Sequence, residues 1–138
     1  MSLGMQTINV WVNGCFDILH IGHIELLKFA KSQGTTLTVG IDTDKRVKES
    51  KGPSRPFNNQ DDRKSFLESI RYVDKVVTYG SNEGLENHLI DNKIDVMIIG
   101  SDWKGKRVVG EKLVKKLVFF DRIGEHSTTR ILENEIRI

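Results

Sequence analysis

Short apolar runs alternate with longer amphipathic segments along the chain, and this alternation constrains the fold more than any other sequence feature. The run Val96-Met97-Ile98-Ile99 is apolar throughout, without polar alternation, which is typical of a strand covered on both faces. We predict strands at residues 8–12, 37–41, 75–78, 96–99 and 117–120. Helical spacing of apolar residues predicts helices at residues 21–33, 59–69 and 82–92, and a last helix from residue 127.

Strands that alternate with helices at this spacing predict an α/β fold with a parallel, doubly wound sheet. We expect a single Rossmann-like domain over residues 1–138, with a five-stranded sheet and helices on both faces. Residues 1–6 are expected to be disordered or to derive from an expression tag. The segment 42–56 is polar and basic and contains both prolines, so we predict a loop with at most one helical turn near its start.

Composition excludes several classes of protein. The 21 Lys and Arg residues against 19 Asp and Glu leave a net charge of +2, which argues against a nucleic-acid-binding protein. The single cysteine excludes an internal disulfide framework and a cysteine-based zinc site, so we expect a cytoplasmic protein. The apolar runs are too short to cross a bilayer, which argues against a membrane partner.

The loop after the first predicted strand is a candidate site, because ligands of doubly wound sheets lie beyond the carboxyl ends of the strands. Gly14 is expected to let the backbone turn tightly, and Gly22 to let a phosphate approach the backbone. His20 and His23 are three residues apart at a predicted helix start, so both project from one side of that turn. Two imidazoles there can donate to phosphate oxygens. The alternatives are a capping histidine beside an ordinary surface histidine, or a metal site that lacks further ligands.

Hydroxyl side chains begin the last predicted helix, at Ser127, Thr128 and Thr129. Hydroxyls at a helix N-terminus suit an anion, because the free N–H groups and the helix dipole also favour negative charge. The alternative is an ordinary Ser/Thr cap.

Two sequence motifs carry a resemblance to a known family. The run Asn-Gly-Cys-Phe-Asp-Ile-Leu-His-Ile-Gly-His at residues 13–23 resembles the motif of the H-x-G-H nucleotidyltransferase superfamily, and Ser-Thr-Thr-Arg at residues 127–130 resembles its second motif. These enzymes move a nucleotide from CTP or ATP to a small phosphorylated acceptor and release pyrophosphate. The resemblance implies direct in-line transfer, Mg²⁺ that enters with the nucleotide, and a homodimer.

The residues that this resemblance predicts to bind the nucleotide lie in loops after strands and at helix starts: Gly14, Cys15, Phe16, Asp17, Gly22, Gly100, Asp102, Trp103, Arg122, Ser127, Thr128 and Thr129. Some of them have alternatives. Asp17 can help position the metal or a nucleotide hydroxyl, or it can stabilise the turn. Trp103 can stack on a base or be a buried edge aromatic, and Cys15 fits a small buried apolar residue.

The basic residues Lys48, Lys51 and Arg63 complete the predicted catalytic set with His20 and His23. Arg63 continues the buried stripe of its helix, and a buried arginine is costly unless it pairs or reaches a ligand. A salt bridge to a neighbouring carboxylate is the alternative to substrate binding. The resemblance implies catalytic lysines near Lys48 and Lys51, although a solvated basic face is the common meaning of such a run.

Two relatives within the superfamily compete on different stretches of the chain. Residues 70–77 and 94–106 resemble glycerol-3-phosphate cytidylyltransferases, whereas residues 13–17, 51–58 and 108–110 resemble the adenylyltransferase domain of ADP-heptose synthases. We predict a cytidylyltransferase that uses CTP and a small polyol phosphate such as glycerol 3-phosphate. The alternatives are an adenylyltransferase that uses ATP and a sugar 1-phosphate, and a nucleotide-binding module without turnover.

Overall fold

A computed structural model describes residues 6–121 of the chain. Its sheet has five parallel strands: β1 (Asn9–Gly14), β2 (Thr36–Asp42), β3 (Lys75–Tyr79), β4 (Val96–Gly100) and β5 (Lys116–Phe120). The strand order is β3-β2-β1-β4-β5. The predicted α/β fold with a five-stranded, all-parallel sheet is therefore confirmed.

Helices cover both faces of this sheet, as predicted. They are α1 (Ile21–Ser32), α2 (Asp44–Lys51), α3 (Gln60–Glu68) and α4 (Asn82–Asp91). Leu27 of α1 and Leu67 of α3 belong to the hydrophobic cluster on one face, whereas Leu85 and Leu89 of α4 pack on the other. No helix within residues 6–121 is both long enough and apolar enough to span a membrane. The helix predicted from residue 127 lies outside the described residues.

The central strand β1 is buried on both sides, which explains its apolar sequence. Val10 and Val12 face one cluster and Trp11 faces the other. The Trp11 ring lies across Gly40 of β2, where an added Cβ would come within 2.4 Å of the ring. A larger residue at position 40 would therefore displace the indole from the core.

The prediction of a loop with at most one helical turn over residues 42–56 is wrong, because α2 has eight residues. The Thr43 hydroxyl caps its start by accepting from Arg46 N, and the Gln60 side chain accepts from Asp44 N. Val47 is its buried apolar residue. A polar helix with a single apolar contact has too little periodicity to be found from sequence, and its stability depends on these tertiary bonds.

The turn after β1 also differs from the prediction. β1 continues through Gly14, because Asn13 and Gly14 still pair with Gly40 and Ile41. The left-handed conformations that reverse the chain occur at Phe16 (φ 52°) and Ile18 (φ 57°) rather than at Gly14. Gly14 instead leaves room for the Phe16 ring, which would lie 3.2 Å from a Cβ at that position.

Candidate active site

The strand order reverses direction between β1 and β4, and in doubly wound sheets this switch point marks a crevice. The chain after β1 enters α1 on one face, whereas the chain after β4 brings Val108 to the other face. In doubly wound sheets, ligands bind at such a switch point beyond the carboxyl ends of the strands. The predicted loop after β1 and the loop after β4 both border this crevice.

His20 and His23 hold the start of α1 through a reciprocal pair of hydrogen bonds. His20 is the N-cap, and its Nδ1 accepts from Gly22 N at 3.1 Å. His23 Nδ1 accepts from the backbone N of His20 at 3.2 Å. The two rings stack with centroids 3.9 Å apart, which confirms that they project from the same side of the turn. The Phe16 ring packs against His23 from the core side.

This capping arrangement determines which ring nitrogen of each neutral histidine carries the proton. A nitrogen that accepts from a backbone N–H has to present a lone pair, so neither Nδ1 carries a proton in these bonds. The proton of each neutral imidazole is then on Nε2. In the neutral rings each Nε2 is therefore a donor nitrogen, and both rings lie at a helix start that already favours anions.

Asp17 is a buried carboxylate that ties the loop after β1 to the segment before α3. Its side chain is 1% exposed, and it accepts from Phe57 N at 2.6 Å and from Asn58 N at 2.9 Å. Arg55 Nε lies 3.4 Å from the same carboxylate. Of the alternatives for Asp17, the stabilisation of the loop is the one that these contacts show.

Arg63 is fully buried, as its place on the stripe of α3 predicts. Its Nη2 pairs with Asp44 Oδ1 at 2.8 Å, so the salt bridge considered as an alternative is present. Nη1 donates to the carbonyl oxygens of Cys15 and Asp42, and Nε donates to that of Asn58. One guanidinium thus joins the ends of β1 and β2 to the starts of α2 and α3.

The start of α2 is held from a second direction by Arg46. Arg46 bonds Asp42 of β2 and Asn82 of α4, and its guanidinium lies over the Tyr79 ring. Burial and the adjacent Asp42 carboxylate raise the pKa of the Tyr79 hydroxyl well above its ordinary value.

The end of α2 carries the two predicted catalytic lysines, and both are exposed. Lys48 Nζ donates to the carbonyl oxygen of Arg55 at 3.1 Å. The charge of Lys51 acts on the buried Cys15 thiol, but burial is the larger effect and raises the pKa of that thiol. Cys15 is thus the small buried residue that its type suggested.

The loop after β4 carries the remaining described candidates. A Cβ at position 100 would lie 2.6 Å from Asp102 Oδ1, so the Asp102 side chain would have to move if Gly100 were replaced. Trp103 is 43% exposed, so the buried-edge alternative for it is wrong. The Lys106 ammonium nitrogen lies over the Trp103 ring, 5.9 Å from its centroid. An exposed indole beside the crevice can stack on a flat ligand.

The remaining predicted nucleotide contacts, Arg122, Ser127, Thr128 and Thr129, lie outside the described residues. Sequence reasoning missed Arg55, whose side chain reaches the buried Asp17. The available signal was an arginine between the only two prolines of the chain, in a segment interpreted as a solvated loop. Within residues 6–121, no group of three or more His, Cys, Asp or Glu side chains is arranged to hold a metal ion.

Comparison with known proteins places this chain in a family. A family model described as "Cytidylyltransferase-like" matches residues 11–134. The chain is 44% identical over 128 residues to "Bifunctional protein HldE" of Campylobacter fetus, and 44% identical over 124 residues to that of Campylobacter concisus. The alignments cover 93% and 90% of this chain but 28% and 26% of those relatives, so the chain spans about a quarter of their length.

Solved structures share the fold. A lipopolysaccharide core biosynthesis protein from Thermoplasma volcanium matches with a TM-score of 0.67 and 27% identity, over 88% of this chain and 100% of that one. A pantoate-beta-alanine ligase from Francisella tularensis matches with a TM-score of 0.61 and 18% identity, over 98% and 72% of the two chains, which shows the fold alone. With the family match over most of its length and the paired histidines at the start of α1, the chain belongs to the cytidylyltransferase-like family of nucleotidyltransferases.

Proposed function

We propose that this chain is an adenylyltransferase that moves AMP from ATP to a sugar 1-phosphate and releases pyrophosphate. The relatives support this choice over the cytidylyltransferase predicted from sequence, because HldE is a bifunctional ADP-heptose synthase. Residues 51–58, which resemble that enzyme family, contact Asp17 directly through Arg55, Phe57 and Asn58. The homodimer and the cytoplasmic location stay predictions.

The histidine pair at the start of α1 is the observation that carries the proposal. A phosphate oxygen of the acceptor attacks the α-phosphorus, a new P–O bond forms in line, and the bond to pyrophosphate breaks. Negative charge on the transferring group is stabilised by fixed donors, and the two Nε2–H groups are donors of this kind. Their Nδ1 bonds to the backbone hold them in place before the substrates arrive.

The other basic residues have distinct roles in this proposal. Lys48 and Lys51 neutralise phosphate charge from the exposed end of α2. Arg63 has its three nitrogens bonded within the protein, so it acts as a positioning residue for the loops around the crevice. Mg²⁺ enters with the triphosphate. The Asp17 carboxylate accepts from two backbone N–H groups and an arginine, which leaves it poorly suited to bind a cation.

Pyrophosphate release in a panel of substrates tests the choice of nucleotide and acceptor. ATP, CTP, GTP and UTP are each combined with a sugar 1-phosphate and with glycerol 3-phosphate. We expect turnover with ATP and the sugar 1-phosphate. Turnover confined to CTP and glycerol 3-phosphate would restore the cytidylyltransferase prediction, and an absence of turnover with every pair would favour a binding module.

Substitutions that preserve the helix cap test the role of the histidines. His20→Asn keeps a good N-cap, and His23→Gln keeps the residue type preferred at its position of the capping box. Each removes an Nε2–H donor, and we expect kcat to fall by about 10²–10³-fold with unchanged helicity. His88→Gln is the matched control, because His88 of α4 bonds the carbonyl oxygen of Thr78 in β3 and lies outside the proposed site. Normal turnover in both cap-preserving variants would refute the mechanism.

A further inference from the structure

The Arg55 side chain has a donor without an acceptor in the described part of the chain. Within residues 6–121, Arg55 Nη2 is the buried side-chain nitrogen or oxygen that lacks a hydrogen-bond partner. The side chain as a whole is 12% exposed. Burying a charged donor without a partner is unfavourable by more than a typical hydrogen bond contributes, so native proteins rarely retain one without a reason.

Arg55 is held firmly in this position. Its Nε faces the carboxylate of Asp17 at 3.4 Å, and its backbone N–H donates to Gly52 O. Its carbonyl oxygen accepts from Lys48 at the end of α2. The guanidinium is therefore attached to the loop that leads into His20, and the Arg55 backbone is attached to the helix that carries the predicted lysines.

The comparison with Arg63 shows that the unused donor is specific to Arg55. Both arginines lie at the carboxyl end of the sheet, where Arg63 is fully buried and Arg55 nearly so, and each pairs with an aspartate. Every nitrogen of the Arg63 guanidinium donates to a protein oxygen, whereas Nη2 of Arg55 does not. A fold that satisfies one arginine completely has the means to satisfy the other, so the missing acceptor at Arg55 points to a ligand that would complete its bonding.

We propose that Arg55 is a substrate-binding residue whose Nη2 donates to a phosphate oxygen bound in the crevice. This inference rests on the proposed function for the substrate class, since both substrates of a nucleotidyltransferase carry phosphate. A guanidinium suits such an oxygen because its N–H donors are planar and always charged. The phosphate comes either from the acceptor or from the triphosphate, and the test separates these two sources.

Arg55→Lys is the sharpest variant, because lysine can keep the ion pair with Asp17 but has no second nitrogen to replace Nη2. We expect the KM for the substrate that Arg55 binds to rise by about 10- to 100-fold, with a smaller change in kcat. A rise confined to the sugar 1-phosphate identifies the acceptor as the source, and a rise confined to ATP identifies the triphosphate. Lys116→Arg is the control for an exchange between these two basic residue types, because Lys116 is exposed at the amino end of β5.

Direct binding keeps this test separate from the test of the proposed function. Calorimetry with α-D-glucose 1-phosphate and with pyrophosphate compares wild type and Arg55→Lys without any turnover. If wild type lacks activity with every substrate pair but Arg55→Lys still weakens binding of one probe, the proposed function fails and the role of Arg55 stands. Unchanged KM values and unchanged probe binding would overturn the proposal, as would failure of wild type to bind either probe. If Arg55→Lys does not fold, Arg55→Gln is measured in the same assays and decides the outcome.

Discussion

Two aspartates perform a similar task at opposite ends of the sheet, and their surroundings differ. At the amino end, Asp95 accepts from Asn9 N at 2.9 Å and pairs with Lys115, whose side chain is 84% exposed. At the carboxyl end, the buried Asp17 accepts from Phe57 N and pairs with the nearly buried Arg55. Both carboxylates join two chain segments, but the first pair is much more exposed than the second.

This difference in exposure shows that the unfavourable burial of charge occurs at the carboxyl end of the sheet. A pair near water loses little solvation and contributes little stability, whereas a buried pair depends on every bond that replaces water. At the amino end, Asp95 bonds the start of β1 through Asn9 N and pairs with Lys115, which precedes β5. At the carboxyl end Asp17, Arg55 and Arg63 hold three loops around a crevice, and one guanidinium donor has no partner among residues 6–121. The carboxyl end thus keeps charged groups buried at some expense of stability.

The largest expected effect is at the buried end. Arg63→Met removes a guanidinium that serves the carbonyl oxygens of Cys15, Asp42 and Asn58 and the Asp44 carboxylate. We expect the free energy of unfolding to fall by about 3–5 kcal/mol, because these acceptors lose a buried partner. Urea unfolding measures it. Lys31→Met at the amino end, which breaks the half-exposed pair with Asp74, is the control and should cost about 0–1 kcal/mol. Equal losses of unfolding free energy in the two variants would show that the two ends of the sheet do not differ in this respect.

An intermediate effect is expected in the acid stability of the amino end. The hydrogen bond from Asn9 N, with a smaller contribution from Lys115, lowers the pKa of Asp95 in the folded protein. As the pH falls, Asp95 is therefore protonated first in the unfolded chain. The stability that ionised Asp95 contributes to the folded protein is complete above the unfolded-state pKa and is lost as the pH falls through the folded-state pKa. Asp95→Asn should flatten the decline of stability between about pH 5 and pH 2. Thermal unfolding across this range measures it, and an unchanged slope would contradict the prediction.

The smallest effect is expected for Lys115→Gln, which removes only the exposed partner of Asp95. We expect a loss of less than about 1 kcal/mol, which shrinks further in high salt. Chemical unfolding at low and high ionic strength measures it. A loss as large as that of Arg63→Met would show that the amino end is also a tightly coupled charge network.

The sheet could be predicted from sequence because its strands carry their own pattern. The continuous apolar run of β4 and the stripe that contains Arg63 both reflect burial, and burial selects residue type directly. The helix α2 could not be found in this way, because only Val47 of its residues is buried. Its bounds depend on Gln60 and Arg63, which approach it only in the folded chain.

The sequence predicted many of the residues of the candidate site, but it did not predict the hydrogen bonds that join them. The spacing of His20 and His23 places them on one side of a turn, as the stacked rings confirm. The bonds that orient these rings involve backbone N–H groups, which every residue possesses and no sequence pattern marks. The contact between Asp17 and Arg55 joins residues 38 positions apart, and nothing in either local pattern predicts it.

The two tryptophans provide the protein with a pair of intrinsic optical reporters. Trp11 is fully buried against Gly40, so its fluorescence emission should be blue-shifted and protected from iodide until the sheet unfolds. Trp103 is exposed in the loop after β4, so its emission should be red-shifted and quenched readily. One sample therefore reports global unfolding through Trp11 and occupancy of the crevice through Trp103, without any added label.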